Sequence, residues 1–99
     1  MDITSLITRW RNKAPDEAPG FPIQETNLFC NVVTNIKRRE WAFRLDCAYG
    51  PRGYLCVAWV ARDYDILVAH VGFRGEGPTI TQALLHAYCL ALENTYDRT

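Results

Sequence analysis

Apolar residues recur at helical spacing near both ends of the chain and at a two-residue spacing in its middle, and this change of period outlines the fold. Ile3, Leu6, Ile7 and Trp10 fall at i, i+3, i+4 and i+7, one face of a helix over 3–13. Asp2 is placed to cap its first amides, and Arg9, Arg11 and Lys13 lie towards its C-terminal end, where positive charge meets the helix dipole. Residues 14–22 then hold three of the five prolines, which deny both a helix and a strand ladder. The stretch up to residue 24 is predicted as a linker, ordered by docking of Phe21 and Ile23 on the core. Leu28, Phe29, Val32, Val33 and Ile36 restore the helical period. They predict a helix over 25–38, with Glu25 or Thr26 near its start and Lys37, Arg38 and Arg39 closing it.

From Glu40 the period is two. Trp41, Phe43, Leu45 and Cys47 point one way, and Ala42, Arg44, Asp46 and Ala48 the other, the pattern of a half-buried strand. Residues 49–53 (Tyr-Gly-Pro-Arg-Gly) turn the chain. Tyr54–Arg62 follows as a strand apolar on both faces, which predicts the central position. Asp63-Tyr64-Asp65 is read as a reversal into a third strand, 66–73, and Arg74 to Pro78 as the turn that ends the sheet. Thr79 and Gln82 have capping-box spacing and open a helix over 79–95, with Ile80, Ala83, Leu84, Ala87, Tyr88 and Ala91 in one stripe. The expected fold class is α+β: a three-stranded antiparallel meander with helices, in the order α-α-β-β-β-α. Helices 25–38 and 79–95 are expected on one sheet face, with the first helix closing the other through Ile3, Leu6, Ile7 and Trp10.

Ninety-nine residues, 48% of them apolar and 22% charged, suit one domain. Eleven Lys and Arg balance eleven Asp and Glu, which removes a strongly basic nucleic-acid or membrane binder and an acidic DNA mimic. No apolar run approaches the roughly 20 residues of a membrane helix, and no apolar signal segment opens the chain, so a cytoplasmic location is expected. Cys30, Cys47, Cys56 and Cys89 contain no Cys-x-x-Cys pair and are expected to be reduced thiols without metal.

Chemistry has few footholds in this sequence. His86 and Cys89 at i, i+3, with the other cysteines or His70, could face one metal, yet zinc sites draw close ligand pairs from tight loops. Asp63 and Asp65 read as turn formers rather than a general acid and base. Gly75-x-Gly77 between a strand and a helix lacks the further glycines and lysine of a phosphate cradle and is read as a turn. Ser5, the only serine, lies on the first helix rather than in a nucleophile turn. No catalytic residue, metal or cofactor is therefore assigned, and the chain is expected not to be an enzyme. The candidate binding residues are Lys37, Arg38, Arg39, Arg52 and Arg74, as a basic cluster for phosphate or an acidic partner. Leu85 and Leu90 join them because, with Leu92, they exceed the sheet-facing stripe of the last helix and are expected to form an interface, together with an adjoining strand, with a partner or a second copy of this chain.

Two families share this order of elements. Gly50-Pro51 and the run from Gly75 to Ala83 resemble the hairpin and the Gly-x-Gly-x-Ser-Lys-Lys-x-Ala motif of double-stranded RNA-binding domains over roughly 26–95. Ile80, Thr81 and Leu84 replace that family's lysines, which leaves an architectural likeness and nucleic-acid binding as the alternative function. Thr26-Asn27-Leu28, Val32-Val33, Trp41-x-Phe43-x-Leu45 and the Thr79–Ala91 stripe, together with the opening helix and linker, resemble the small bacteriophage α-β-α sandwich proteins over nearly the whole chain. That resemblance implies a phage or prophage accessory protein acting in the host cytoplasm. Its implied function is a small non-enzymatic protein-binding module that inhibits a host defence complex in the anti-CRISPR manner, the partner being a host nucleoprotein complex.

Overall fold

The structure is a computed structural model and describes residues 2–20, 23–62 and 72–95. Helix α1 spans Ile3–Lys13 and α2 spans Glu25–Arg38; strands β1 (Ala42–Gly50), β2 (Gly53–Ala61) and β3 (Phe73–Gly77) form the sheet; α3 (Ile80–Thr95) follows. The sheet is antiparallel in the order β1-β2-β3, with β2 central. The chain is thus α+β in the order α-α-β-β-β-α.

Local chemistry sets the element ends. Asp2 Oδ1 accepts the Ser5 amide at 2.8 Å and caps α1. Thr79 Oγ1 accepts the Gln82 amide at 3.1 Å at the start of α3. Neither Glu25 nor Thr26 caps α2: Gln24 holds that position, with no side-chain hydrogen bond to the helix. At the C-terminus of α2, Glu40 adopts φ 61°. The Glu40 amide donates to Lys37 O and the Trp41 amide to Ile36 O, so the last carbonyls are satisfied by a Schellman turn that launches β1. Between β1 and β2, Pro51 suits a tight turn and Gly53 supplies its positive φ of 105°.

The third strand departs from the sequence reading. Residues 63–71, which include the expected reversal at Asp63 and Asp65, His70 and most of the expected strand, lie outside the described residues. Among the described residues, Phe73–Gly77 pairs with β2, so the strand takes in Phe73, where the expected strand ends, and Arg74 to Gly77, read as a turn. Its glycines serve helix packing: a Cβ on Gly75 would lie 2.5 Å from Ala83 O and 2.8 Å from His86 Cβ, and also against the Ala87 amide; one on Gly77 would meet Gln82. Only glycine lets α3 lie this close to the edge strand.

The core lies between the helices and the sheet face that carries Cys56, Ala58 and Val60, all fully buried. Phe43, Leu45 and Phe73 flank them from β1 and β3. The helix-free face carries Leu55, Val57 and Trp59, because neighbours along a strand point to opposite sides. Helix α1 does not close that face. Among the described residues it packs on α3 and not on the sheet strands, and its Leu6, Ile7 and Trp10 are fully buried. Cys89 Sγ donates to Leu6 O at 3.3 Å. Arg9 grips Glu93 through Nε–Oε2 at 2.8 Å and a second nitrogen on Oε1 at 2.5 Å. Helix α3 is therefore enclosed by the sheet, α1 and α2.

This arrangement corrects the interface expected on the last helix. Leu85 is fully buried and Leu92 nearly so, and Leu90 is half-buried. Of the three leucines, Leu85 and Leu92 are thus taken up within the molecule, and Leu90 stays partly open.

Candidate functional site

The basic residues do not form one cluster. Lys37, Arg38 and Arg39 end α2, whereas Arg52 sits in the β1–β2 turn at the far end of β1. At a strand rise of roughly 3.3 Å per residue, the nine-residue β1 sets these groups well over 20 Å apart. Arg74 lies on the helix-free face opposite Trp59, with its guanidinium 3.0 Å from Glu76. Arg38 donates to Asn35 Oδ1 at 3.2 Å, and Asn35 itself donates to Asn31 O.

Arg39 is committed to the fold. Its Nε donates to the Tyr88 hydroxyl at 2.9 Å and its outer nitrogen to Glu17 Oε2 at 2.8 Å, while its guanidinium lies 5.2 Å from the centre of the Trp41 ring. Glu17, from the Pro-rich segment, also accepts from Tyr88 OH at 2.6 Å and Trp10 Nε1 at 3.1 Å. One carboxylate thus ties the segment to α1, α2 and α3. Burial, and the hydrogen bond to Glu17, hold the Tyr88 hydroxyl well above the ordinary tyrosine range. Trp10 and Trp41 both meet the Tyr88 ring edge-on, at 5.7 and 6.0 Å. These contacts commit the group to joining the Pro-rich segment to the helices.

The exposed apolar surface lies elsewhere. Among the described residues, the large apolar side chains most open to solvent are Tyr49 at 84%, Tyr54 at 52%, Leu55 at 47% and Ile80 at 38%. The first three stand at the tip of the β1–β2 hairpin, where Tyr49 is directly opposite Tyr54 and Leu55 opposite Ala48. Alternation puts the two tyrosines on the helix side and Leu55 on the other. No family model, curated protein or solved structure matches this chain.

Ile80 belongs to the same end of the molecule, since α3 begins three residues after Gly77, the partner of Cys56. There an open groove of about 250 Å³ is lined by Glu25, Thr26 and Phe29 at the start of α2 and by Ile80 and Thr81 at the start of α3. Two residue pairs in from Tyr49 and Tyr54, Cys47 faces Cys56 across the strands, with the sulfurs 2.7 Å apart. The nearby Cys47 and Cys56 thiols push the Tyr54 hydroxyl up to about 12. Burial pushes the Cys56 thiol up to about 11.

No group of three or more His, Cys, Asp or Glu side chains that could hold a metal occurs among the described residues. His86 accepts the Glu76 amide through Nδ1 at 3.4 Å, joining α3 to the edge strand. Among the described residues no helix is long and apolar enough to cross a membrane. The expected interface, on the last helix and an adjoining strand, did not single out the hairpin tip. The available signal was the apolar and aromatic content flanking Gly50-Pro51-Arg52-Gly53, beyond the reach of either packed helix.

Proposed function

We propose that this chain is a non-enzymatic protein-binding module that engages its partner with the tip of the β1–β2 hairpin and the adjoining groove between the starts of α2 and α3. The observation that carries this reading is the concentration of exposed large apolar side chains at one end of the molecule, with Tyr49, Tyr54 and Leu55 on the hairpin and Ile80 beside it. Scattered exposed apolar residues are ordinary, but their concentration at one end of a small molecule, on both sides of one hairpin tip, points to an interaction surface. Tyrosine suits the task because it supplies a large, stiff contact area with a polar tip. The resemblance to small phage proteins supports a host complex as the partner and inhibition of a host defence as the outcome.

Nucleic-acid binding is the less supported alternative. The cations named for it are divided between the two ends of β1, and Arg39 and Arg74 already face carboxylates. The discriminating experiment is capture from a bacterial lysate on the tagged full chain, washed at rising salt. A protein retained in stoichiometric amount across the range from about 0.05 to 0.2 M salt supports the reading. Retention of nucleic acid that falls by orders of magnitude over the same range refutes it.

A further inference from the structure

We propose that Cys47 and Cys56 are a thiol pair that closes to a cross-strand disulfide on exposure to an oxidised low-molecular-weight disulfide such as glutathione disulfide, and that reopens under reduction. The inference stands apart from the binding reading and rests on register, side-chain direction and access.

Cys47 is directly opposite Cys56 in the antiparallel ladder. Residues so placed have Cα atoms about 4.5–5.5 Å apart and side chains on the same face, inside the roughly 4.4–6.8 Å that a disulfide spans. Both are free thiols here, with the sulfurs already in contact at 2.7 Å. Closing the bond therefore asks for little movement of the hairpin. The other cysteines have no such geometry: Cys89 is buried in α3 against Leu6 O, and Cys30 lies exposed on α2.

Access sets the order of events. Cys47 is exposed and Cys56 buried, and burial keeps Cys56 in its thiol form at neutral pH. Cys47 accordingly meets the oxidant first. Its thiolate attacks one sulfur of the small disulfide, forming a mixed disulfide and releasing one small thiolate. Cys56 then gives up its proton to the released small thiolate as its sulfur attacks the Cys47 sulfur, which closes the protein disulfide and releases the second small thiolate. The two protons lost by the cysteines end on the two released thiols. The protein pair is oxidised by two electrons and the small disulfide reduced by two.

The test is equilibration of the reduced full chain with glutathione disulfide, acid quenching, alkylation and non-reducing tryptic digestion with mass analysis. Cleavage after Arg44, Arg52 and Arg62 puts Cys47 in peptide 45–52 and Cys56 in peptide 53–62. The expected product is these two peptides joined with the loss of two hydrogens, more than about ten-fold over any other cysteine pairing. Cys56→Ala is expected to stop at the glutathione adduct on Cys47, and Cys47→Ser to leave Cys56 unmodified. The proposal is overturned if glutathione accumulates on Cys47 of the unsubstituted chain without the joined peptide, or if pairs containing Cys30 form as readily.

Discussion

At the residue scale, the group that does most for the fold is Glu17. Its side chain is 13% exposed and takes donors from Trp10, Tyr88 and Arg39. Removing it leaves a guanidinium, a phenol and an indole without their acceptor in a poorly solvated place, and the lost charged hydrogen bonds decide the size of the effect. Glu17→Ala is expected to lower unfolding free energy by about 2–4 kcal/mol in urea denaturation. Little of this was legible in the sequence. A single acid among prolines carries no periodicity, and Arg39 reads as one cation of a run until the fold shows what it faces. Asp2 and Thr79 were legible, because capping depends on residues only three apart.

At the element scale, periodicity located both flanking helices and the two faces of β1 and β2, since each depends on the residues of one segment. It read 74–77 as a turn rather than as strand because Gly75 and Gly77 look locally like turn formers, whereas their role is set by α3, which is close in space only after folding. Gly75→Ala puts a methyl group into the backbone of α3, so either the helix or the edge strand must shift. An expected loss of about 3 kcal/mol or more, read from thermal or urea unfolding, sets it apart from an ordinary surface Gly→Ala change. The α1–α3 contact makes its own prediction in acid. Hydrogen bonding from Arg9 lowers the Glu93 pKa below its ordinary value. The folded-state pKa is then below the unfolded one, so the linked stability is complete above the unfolded pKa and is lost as pH falls through the folded pKa. Arg9→Met is expected to flatten this part of the stability–pH curve below the ordinary carboxylate range, as measured by thermal midpoints across an acid series.

At the scale of the whole molecule, an amphipathic stripe says that α1 must be covered but not by what. Here α3 covers it, through Cys89 on Leu6 O, Tyr88 on Trp10 and Glu93 on Arg9, so α1 is spent on α3 and does not lie on the second sheet face. Fully burying a large apolar side chain contributes about 1.5–3 kcal/mol, and α1 supplies Leu6, Ile7 and Trp10. That sum is comparable to the whole stability of a small domain, so deletion of residues 1–14 is expected to abolish the cooperative thermal transition seen by circular dichroism. With α3 enclosed, the exposed hairpin tip becomes the surface that the fold leaves for a partner. The most direct measurement compares partner capture by the unsubstituted chain with capture by the Tyr49→Ser, Leu55→Ser double variant, each checked for an unchanged thermal midpoint. Both side chains are solvent-exposed, so the account predicts a variant that stays folded and loses at least about ten-fold in capture, equivalent to about 1.4 kcal/mol at the interface. A folded variant that captures the same partner undiminished would contradict it.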